Sequence, residues 1–183
     1  HLRIVEFPRY RTFAQSFSGI IPYSEGAYFV EDLRGERSID RVFFVTAHEV
    51  AHQWWGHQIA AAWVRGAMFI EEGMAQYSAL LVMEQDVGPA KMQRFLRYEL
   101  DRYLSGRGAA REDELPLVSV ENQPYIHYYK GSLALYALRD YLGRDTLNAS
   151  LRGFVERHRF RGPPYPNSHQ FVEALDAAAG ERY

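Results

Sequence analysis

The sequence predicts an α+β chain, mainly helical, in which a small N-terminal mixed sheet precedes a helical body. Residues 2–30 are short β-branched and aromatic runs broken by Pro8, Gly19, Pro22 and Gly26, the punctuation of strands and turns. From residue 39 onward, long segments with helical periodicity alternate with Gly and Pro stops. No repeat, low-complexity tract or internal linker interrupts the 183 residues. A single domain over 1–183 is therefore expected, with a sheet region at 1–38 and a helical body at 39–183.

The elements follow in order. Leu2 to Phe7 reads as a strand, and Ala27-Tyr28-Phe29-Val30 is the strongest strand candidate. Asp32 to Ser38 is charged and holds Gly35, which marks a surface loop. Ser38 or Asp40 can cap a helix running to about Trp55 and stopping at Gly56. Phe43, Ala47, Val50 and Trp54 give that helix an apolar stripe, with His48 and His52 on a neighbouring face. Residues 60–68 are a small-residue connection containing Trp63 and Gly66. A second helix starts near Glu71 and continues to Asp86, and Gly88-Pro89 opens a third that ends around Ser105-Gly106. Residues 106–124 form a polar, Pro-containing loop expected to pass near the site. A fourth helix spans about Ile126 to Leu142 and stops at Gly143. Two more are expected at 144–159 and 168–179, separated by Gly162-Pro163-Pro164-Tyr165-Pro166.

Composition excludes several functions. The net charge of −2 argues against a nucleic-acid or anionic-membrane surface. No apolar run reaches the roughly 18 residues needed to cross a bilayer. The chain has no Cys, so disulfides and thiolate ligands are ruled out. It begins at His1, directly in a strand-like segment, which reads as a piece of a longer polypeptide whose signal or anchor would lie elsewhere.

The chemistry concentrates in His48-Glu49-Val50-Ala51-His52 and in the acidic pair Glu71-Glu72. On a helix, positions i and i+4 lie about 40° apart around the axis and about 6 Å along it, so both imidazoles overhang one face. Neutral imidazole nitrogen suits Zn²⁺, and two His with one Glu leave a fourth tetrahedral position for water. Glu49, next to His48, can take a proton from that water. With this many His and Glu, chance would supply about 0.02 such H-E-x-x-H segments in the chain. Glu71 follows His52 after 18 intervening residues and Glu72 after 19, so either carboxylate can be the third ligand. One of the two is accounted for by favourable charge at a helix start. His1, His57, His127, His158 and His169 are ordinary hydrogen-bonding histidines on this reading, with His127 of interest beside Tyr128.

His48-Glu49-Val50-Ala51-His52-Gln53-Trp54-Trp55-Gly56 resembles the H-E-x-x-H-x-W-x-G signature of the membrane-alanyl aminopeptidase family of zinc metallopeptidases, gluzincins with a thermolysin-like catalytic domain. Glu72-Gly73-Met74-Ala75 is similar to the family's N-E-G-F-A segment, whose Glu ligates zinc. The resemblance assigns the third ligand to Glu72, with Glu71 as the fallback that the family's 18-residue spacing indicates. It also implies one inserted residue in the 57–70 connection. Tyr128-Tyr129-Lys130-Gly131 resembles Y-x-K-G, whose first Tyr stabilises the transition state. Pro22-Tyr23-Ser24-Glu25-Gly26 stands where the family carries G-A-M-E-N, whose Glu binds the substrate's amino terminus; only Glu25 matches. Gln53-Trp54-Trp55-Gly56-His57-Gln58 and the segment from Glu72 to Leu80 are similar to a subgroup fused to bacterial ABC-type transporter permeases. That subgroup implies a membrane-associated bacterial parent protein carrying this soluble domain.

Together these readings predict a zinc-dependent peptidase, an aminopeptidase acting on peptides, with Zn²⁺ on His48, His52 and Glu72, Glu49 as general base, Tyr128 on the oxyanion and Glu25 on the α-ammonium. Two rivals stand beside it: an endopeptidase of the same metal class, and a non-catalytic peptide- or partner-binding module of a transporter. Side-chain preference, oligomeric state and membrane side have no signal in the sequence.

Overall fold

The computed structural model describes residues 1–27, 31–35 and 38–180. The strand expected at 27–30 falls on residues 28–30, outside the described residues, while Ala27 sits in a turn. Strands β1 (Arg3–Phe7) and β2 (Ile20–Ser24) pair in parallel, with Arg3 opposite Ile20 and Phe7 opposite Ser24. On the other side of β2, Ala14 and Phe17 form isolated antiparallel bridges to Tyr23 and Ile20, so the sheet is mixed as expected. Pro22 lacks an N–H but still accepts from the Gln15 N–H at 3.2 Å. Ile21 and Tyr23 point inward with Ala27 and pack against Val45 and Val50, which seats the sheet on the first helix.

That helix, α1 (Arg41–Ala51), is capped by Asp40, whose side chain accepts from the Phe43 N–H at 2.8 Å. Ser38, the other cap candidate, donates instead to the Asp32 carbonyl. The helix ends at Ala51 rather than near Trp55. His52 is its C-cap, and the chain curls so that the Trp55 carbonyl reaches the His52 ring. Gly56 follows at φ 109°, a conformation that L side chains rarely adopt. The buried face also differs from the expected stripe. Phe43 and Trp54 are exposed, whereas Phe44, His48, Glu49 and Ala51 are buried. Polar groups take the inward face because neighbouring elements close over them.

A π-helical turn at Phe69–Gly73 leads directly into α2 (Met74–Ala109), so the second helix begins before Glu71. The expected break at Gly88-Pro89 is present: Gly88 has φ 73° and ψ 172°, and the chain turns back on itself there. The two arms pack antiparallel. Ala79, Leu80 and Met83 of the first meet Met92 and Phe95 of the second, with Phe44 of α1 in the same cluster. The second arm runs past the expected stop at Ser105-Gly106 to Ala109, because Gly106 lies under the Tyr125 ring and packs there without breaking the helix.

A second π turn, Tyr125–Lys130, precedes α3 (Gly131–Leu142), and α4 (Arg144–His158) and α5 (Ser168–Ala179) complete the body. Asn167 and Gln170 form a capping box on α5. Glu84 ties the helices together, accepting from Tyr136 at 2.6 Å, Arg139 at 2.6 Å and Arg144 at 2.7 Å. The main core gathers Trp55, Phe69, Ile70, Met74, Tyr77, Ile126, Phe154 and Phe171 between α2 and the last three helices. The loop after α2 packs against Gly66 and Ser168 through the Val120 and Val118 carbonyls.

Candidate metal centre and active site

Three donor atoms converge between α1 and the first π turn. His48 Nε2 and His52 Nε2 are 3.0 Å apart, and Glu72 Oε2 lies 3.2 Å from each. Among the described residues, these three form the group of His and carboxylate side chains able to share an ion. A tetrahedral Zn²⁺ with N and O ligands at about 2.0–2.1 Å holds its ligand atoms about 3.3 Å apart, so the observed triangle fits to within about 0.3 Å. The tautomer fits as well. His52 Nδ1 is 2.8 Å from the Trp55 carbonyl, so Nδ1 carries the hydrogen and Nε2 presents its lone pair to the triangle. Two imidazole lone pairs and a carboxylate oxygen aimed at one point repel unless a cation stands between them.

The electrostatics agree. Burial alone would raise the Glu72 carboxyl, but with protons rather than a metal on the ring nitrogens, hydrogen bonds from His48 and His52 outweigh it and hold the group well below the usual carboxylate range. Burial works against protonated His52 too, yet the Glu72 carboxylate more than offsets it and the His52 pKa rises. Such a donor set binds protons and a metal ion competitively.

Glu72, not Glu71, completes the triangle. The Glu71 carboxylate turns to the preceding connection and accepts the Ala61 N–H at 3.2 Å, while burial raises its pKa. A π turn accommodates one more residue per turn than an α-helix. The one-residue excess in the spacing from His52 is thus met by a turn that begins inside the connection and carries Glu72 itself.

Glu49 is 7% exposed and sits beside the triangle. Burial raises its pKa against the opposing pull of His48 and His52; the Ser16 backbone N–H faces the carboxylate, and Oε2 has no partner among the described residues. A carboxylate with a free oxygen and elevated basicity, beside an ion site, is equipped to accept a proton. The second π turn brings Tyr128 over the same point. Its ring lies 5.7 Å from that of His48 and its hydroxyl bonds to Glu72. Burial and the neighbouring carboxylates push this phenol well above its ordinary value, so it stays protonated as a donor.

The two π turns touch beside Gly73, which ends the first, and Gly131, which follows the second. A Cβ on Gly73 would meet the His127 carbonyl at 2.9 Å and Phe69 Cδ2 at 2.8 Å, and one on Gly131 would meet Phe69 and Leu117. His127 is buried, its pKa lowered to about 4 by desolvation, with its ring 4.6 Å from that of Tyr128 and outside the triangle. Glu25 is exposed in the turn after β2, with its N–H on the Phe7 carbonyl. It does not line the cavity beside the triangle, and neither does any residue of the 106–124 segment that was expected to pass near it. That loop spends its carbonyls on Gly66 and α5 instead.

Two contributors escaped the sequence reading. Gln53 binds the Gly19 N–H, the Ser16 hydroxyl and the Phe17 carbonyl, pinning the loop before β2 to the end of α1. It stands two residues beyond the end of α1, in the turn that leads to Trp55, where helical spacing no longer applies. The Trp55 carbonyl that orients His52 is a backbone group with no side-chain signature.

Comparison with known proteins agrees with this architecture. The Peptidase family M1 domain model matches residues 1–182. Aminopeptidase M1 of Arabidopsis thaliana is 25% identical, over 97% of this chain and 21% of its own length. Endoplasmic reticulum aminopeptidase 2 of Homo sapiens is 24% identical, over 87% of this chain and 17% of its own. The chain thus spans about a fifth of these relatives. An M1 zinc metallopeptidase from Deinococcus radiodurans superposes with a TM-score of 0.67 at 22% identity, covering 97% of this chain and 37% of that one. With its length matched almost end to end, this chain belongs to peptidase family M1.

Proposed function

We propose that the domain is a zinc-dependent peptidase of the aminopeptidase type, cleaving peptides from their amino terminus. The observation that carries this reading is the convergence of His48 Nε2, His52 Nε2 and Glu72 Oε2 with the buried Glu49 carboxylate beside them. When bound there, zinc supplies Lewis-acid activation of water and of the scissile carbonyl. The remaining chemistry belongs to the chain. Glu49 takes the proton of the attacking water and delivers it to the departing amine, two transfers that one carboxylate with a raised pKa can perform in succession. The Tyr128 hydroxyl, a buried and neutral donor, hydrogen-bonds the oxygen that becomes negative as the carbonyl turns tetrahedral. Glu25 pairs with the substrate's α-ammonium, an assignment that rests on its motif position.

Glu49→Gln tests the scheme. The amide keeps the shape and loses the basicity, so turnover falls by about 10²–10⁴-fold while zinc stays near one equivalent. Full activity in that variant would remove Glu49 from the reaction.

The exposure of Glu25 outside the cavity favours a second reading, an endopeptidase of the same metal class. Free and N-acetylated forms of one peptide separate the two, since an enzyme that reads the amino terminus leaves the blocked form intact. The likeness to permease-fused domains further supports a membrane-tethered bacterial parent chain. Among the described residues no helix is long and apolar enough to cross a membrane, so any span would appear as apolar runs of about 18 residues or more in the full-length sequence.

A further inference from the structure

The returning arm of α2 turns Tyr103, Gly106 and Arg107 towards the second π turn, the i, i+3, i+4 spacing of one helix face. The Tyr125 ring lies on Gly106 and stacks with that of Tyr103 at 6.2 Å between centroids. Beside this stripe sits Glu114, an acid from the loop after α2 whose side chain is only 12% exposed. Its Oε1 accepts from the Lys130 ammonium, while Oε2 accepts from the Tyr103 hydroxyl at 2.9 Å and pairs with Arg107 at 2.9 Å. Gln123 locks the loop in that pose. Its buried amide donates to the Asp113 carbonyl at 3.0 Å and accepts the Leu115 N–H at 3.2 Å, fixing both neighbours of Glu114. The Gln123 carbonyl also accepts the Ile126 and His127 N–H groups, so loop and π turn are tied at both ends of the turn.

A π turn is poor in local energy, and Tyr125–Lys130 has no side-chain cap at its start. Contacts from outside must therefore fix its last residues, where Tyr128 lies against His48. Tyr128 and Lys130 are two residues apart, so they leave the turn on roughly opposite sides. Lys130 holds the turn from behind while Tyr128 faces the triangle. A shift of about 1 Å misdirects a donor aimed at an oxyanion and costs on the order of 100-fold in rate. Glu114 gathers three donors, two of them cationic, on one sheltered carboxylate. That makes a stiffer anchor than a surface pair such as Arg65–Glu121, whose side chains are 69% and 53% exposed.

We propose that Glu114 is a positioning residue for the Tyr128 hydroxyl, setting the second π turn through Lys130 so that this donor meets the developing oxyanion. The assignment rests on the peptidase reading of Tyr128 and deepens it with a residue that lines no part of the cavity beside the triangle. The loop after α2 thus serves the site from behind.

The test uses the zinc-loaded chain with a panel of amino-acid anilides. Glu114→Ala lowers kcat about 10- to 100-fold, with KM and zinc content near those of the unmodified chain. Lys130→Met breaks the pair from the other side and does the same. In a Tyr128→Phe background Glu114→Ala costs less than about twofold, because the hydroxyl it sets is already gone. Full kcat in folded Glu114→Ala protein overturns the proposal, and so does a loss that multiplies with that of Tyr128→Phe. Glu121→Ala, in the same loop, leaves kcat as it is; an equal loss there would make the effect one of the loop at large and overturn the role of Glu114. Thermal midpoint and zinc stoichiometry report folding, and if Glu114→Ala does not fold, Lys130→Met decides by the same criteria. A second readout needs no turnover: Tyr128→3-fluorotyrosine gives that ring a fluorine resonance, which breaking the Glu114–Lys130 pair must shift. If no anilide is cleaved, the peptidase reading fails, and the fluorine signal still decides: a shift supports the placement of Tyr128 by Glu114, and an unmoved signal refutes it.

Discussion

His48, Glu49 and the C-cap His52 come from one regular α-helix, whereas Glu72 and Tyr128, the proposed third ligand and oxyanion donor, each come from a π turn. In α1 the useful geometry is intrinsic. Spacing alone sets His48 and His52 on one side, and any well-capped helix of this sequence presents them so. In the π turns at Phe69–Gly73 and Tyr125–Lys130 the geometry is imposed from outside. A π turn is poorer in local energy than an α turn, and it persists where tertiary contacts hold it, often at functional sites. Here the contacts are mutual: each turn presses on the other beside a glycine, the first supplies Glu72 to the triangle and the second sets Tyr128 against it. A robust half and an adjustable half thus meet at one point.

That contrast is open to attack first at the ligand in question. Glu72→Ala removes one corner of the triangle, and zinc affinity drops by at least about 100-fold, a loss larger than that of an outer-shell group. Glu71→Gln, next to it in sequence, keeps one equivalent of zinc because its carboxyl serves the Ala61 N–H. Metal analysis after dialysis against a graded chelator reads both. If Glu71→Gln empties the site and Glu72→Ala does not, the π turn has been assigned the wrong residue. Tyr128→Phe is expected to lower kcat by about 10²–10³-fold with KM little changed and zinc retained, as for loss of one preorganised donor. A variant that loses its zinc instead would make Tyr128 a support for Glu72, through the hydrogen bond they share.

The same contrast explains what the sequence could reveal. His48, Glu49 and His52 were legible because their relation is local and a helix has one period. The helices after Gly88 and Gly143 were legible because both glycines adopt positive φ that L side chains resist. The end of α1 was misjudged because a contact decides it: the Trp55 carbonyl turns back to His52, a tertiary demand with no propensity behind it. The inward face of α1 was misjudged for a related reason. Hydrophobic patterning places Phe43 and Trp54 inside, but the site takes the covered surface for His48 and Glu49 and leaves those two rings exposed. The choice between Glu71 and Glu72 lay beyond any local rule. It depends on how a connection of small residues delivers the turn, and a one-residue change there rotates the carboxylates by about 100° around the axis. Motif similarity favoured Glu72, the carboxylate that converges with the two histidines, where spacing pointed to Glu71.

The glycines sharpen the comparison further, with effects smaller than those at the ligands. Gly73→Ala places a methyl 2.9 Å from the His127 carbonyl and 2.8 Å from Phe69, so the two π turns must part. The expected cost is about 1–3 kcal/mol of stability, read by urea unfolding, with a fall in zinc affinity because the displaced turn carries Glu72. Gly153 provides the opposite case. It lies on the exposed side of α4 with nothing within 4 Å of an added Cβ, and no partner element dictates its backbone. Gly153→Ala should therefore stabilise the chain by about 0.5–1 kcal/mol and leave zinc binding as it was, since alanine only restricts the unfolded state and favours the helix. Equal losses at the two positions would mean that the π turns are no more tightly constrained than an ordinary helical surface. The division between a self-sufficient helix and two mutually supported turns would then have no energetic basis.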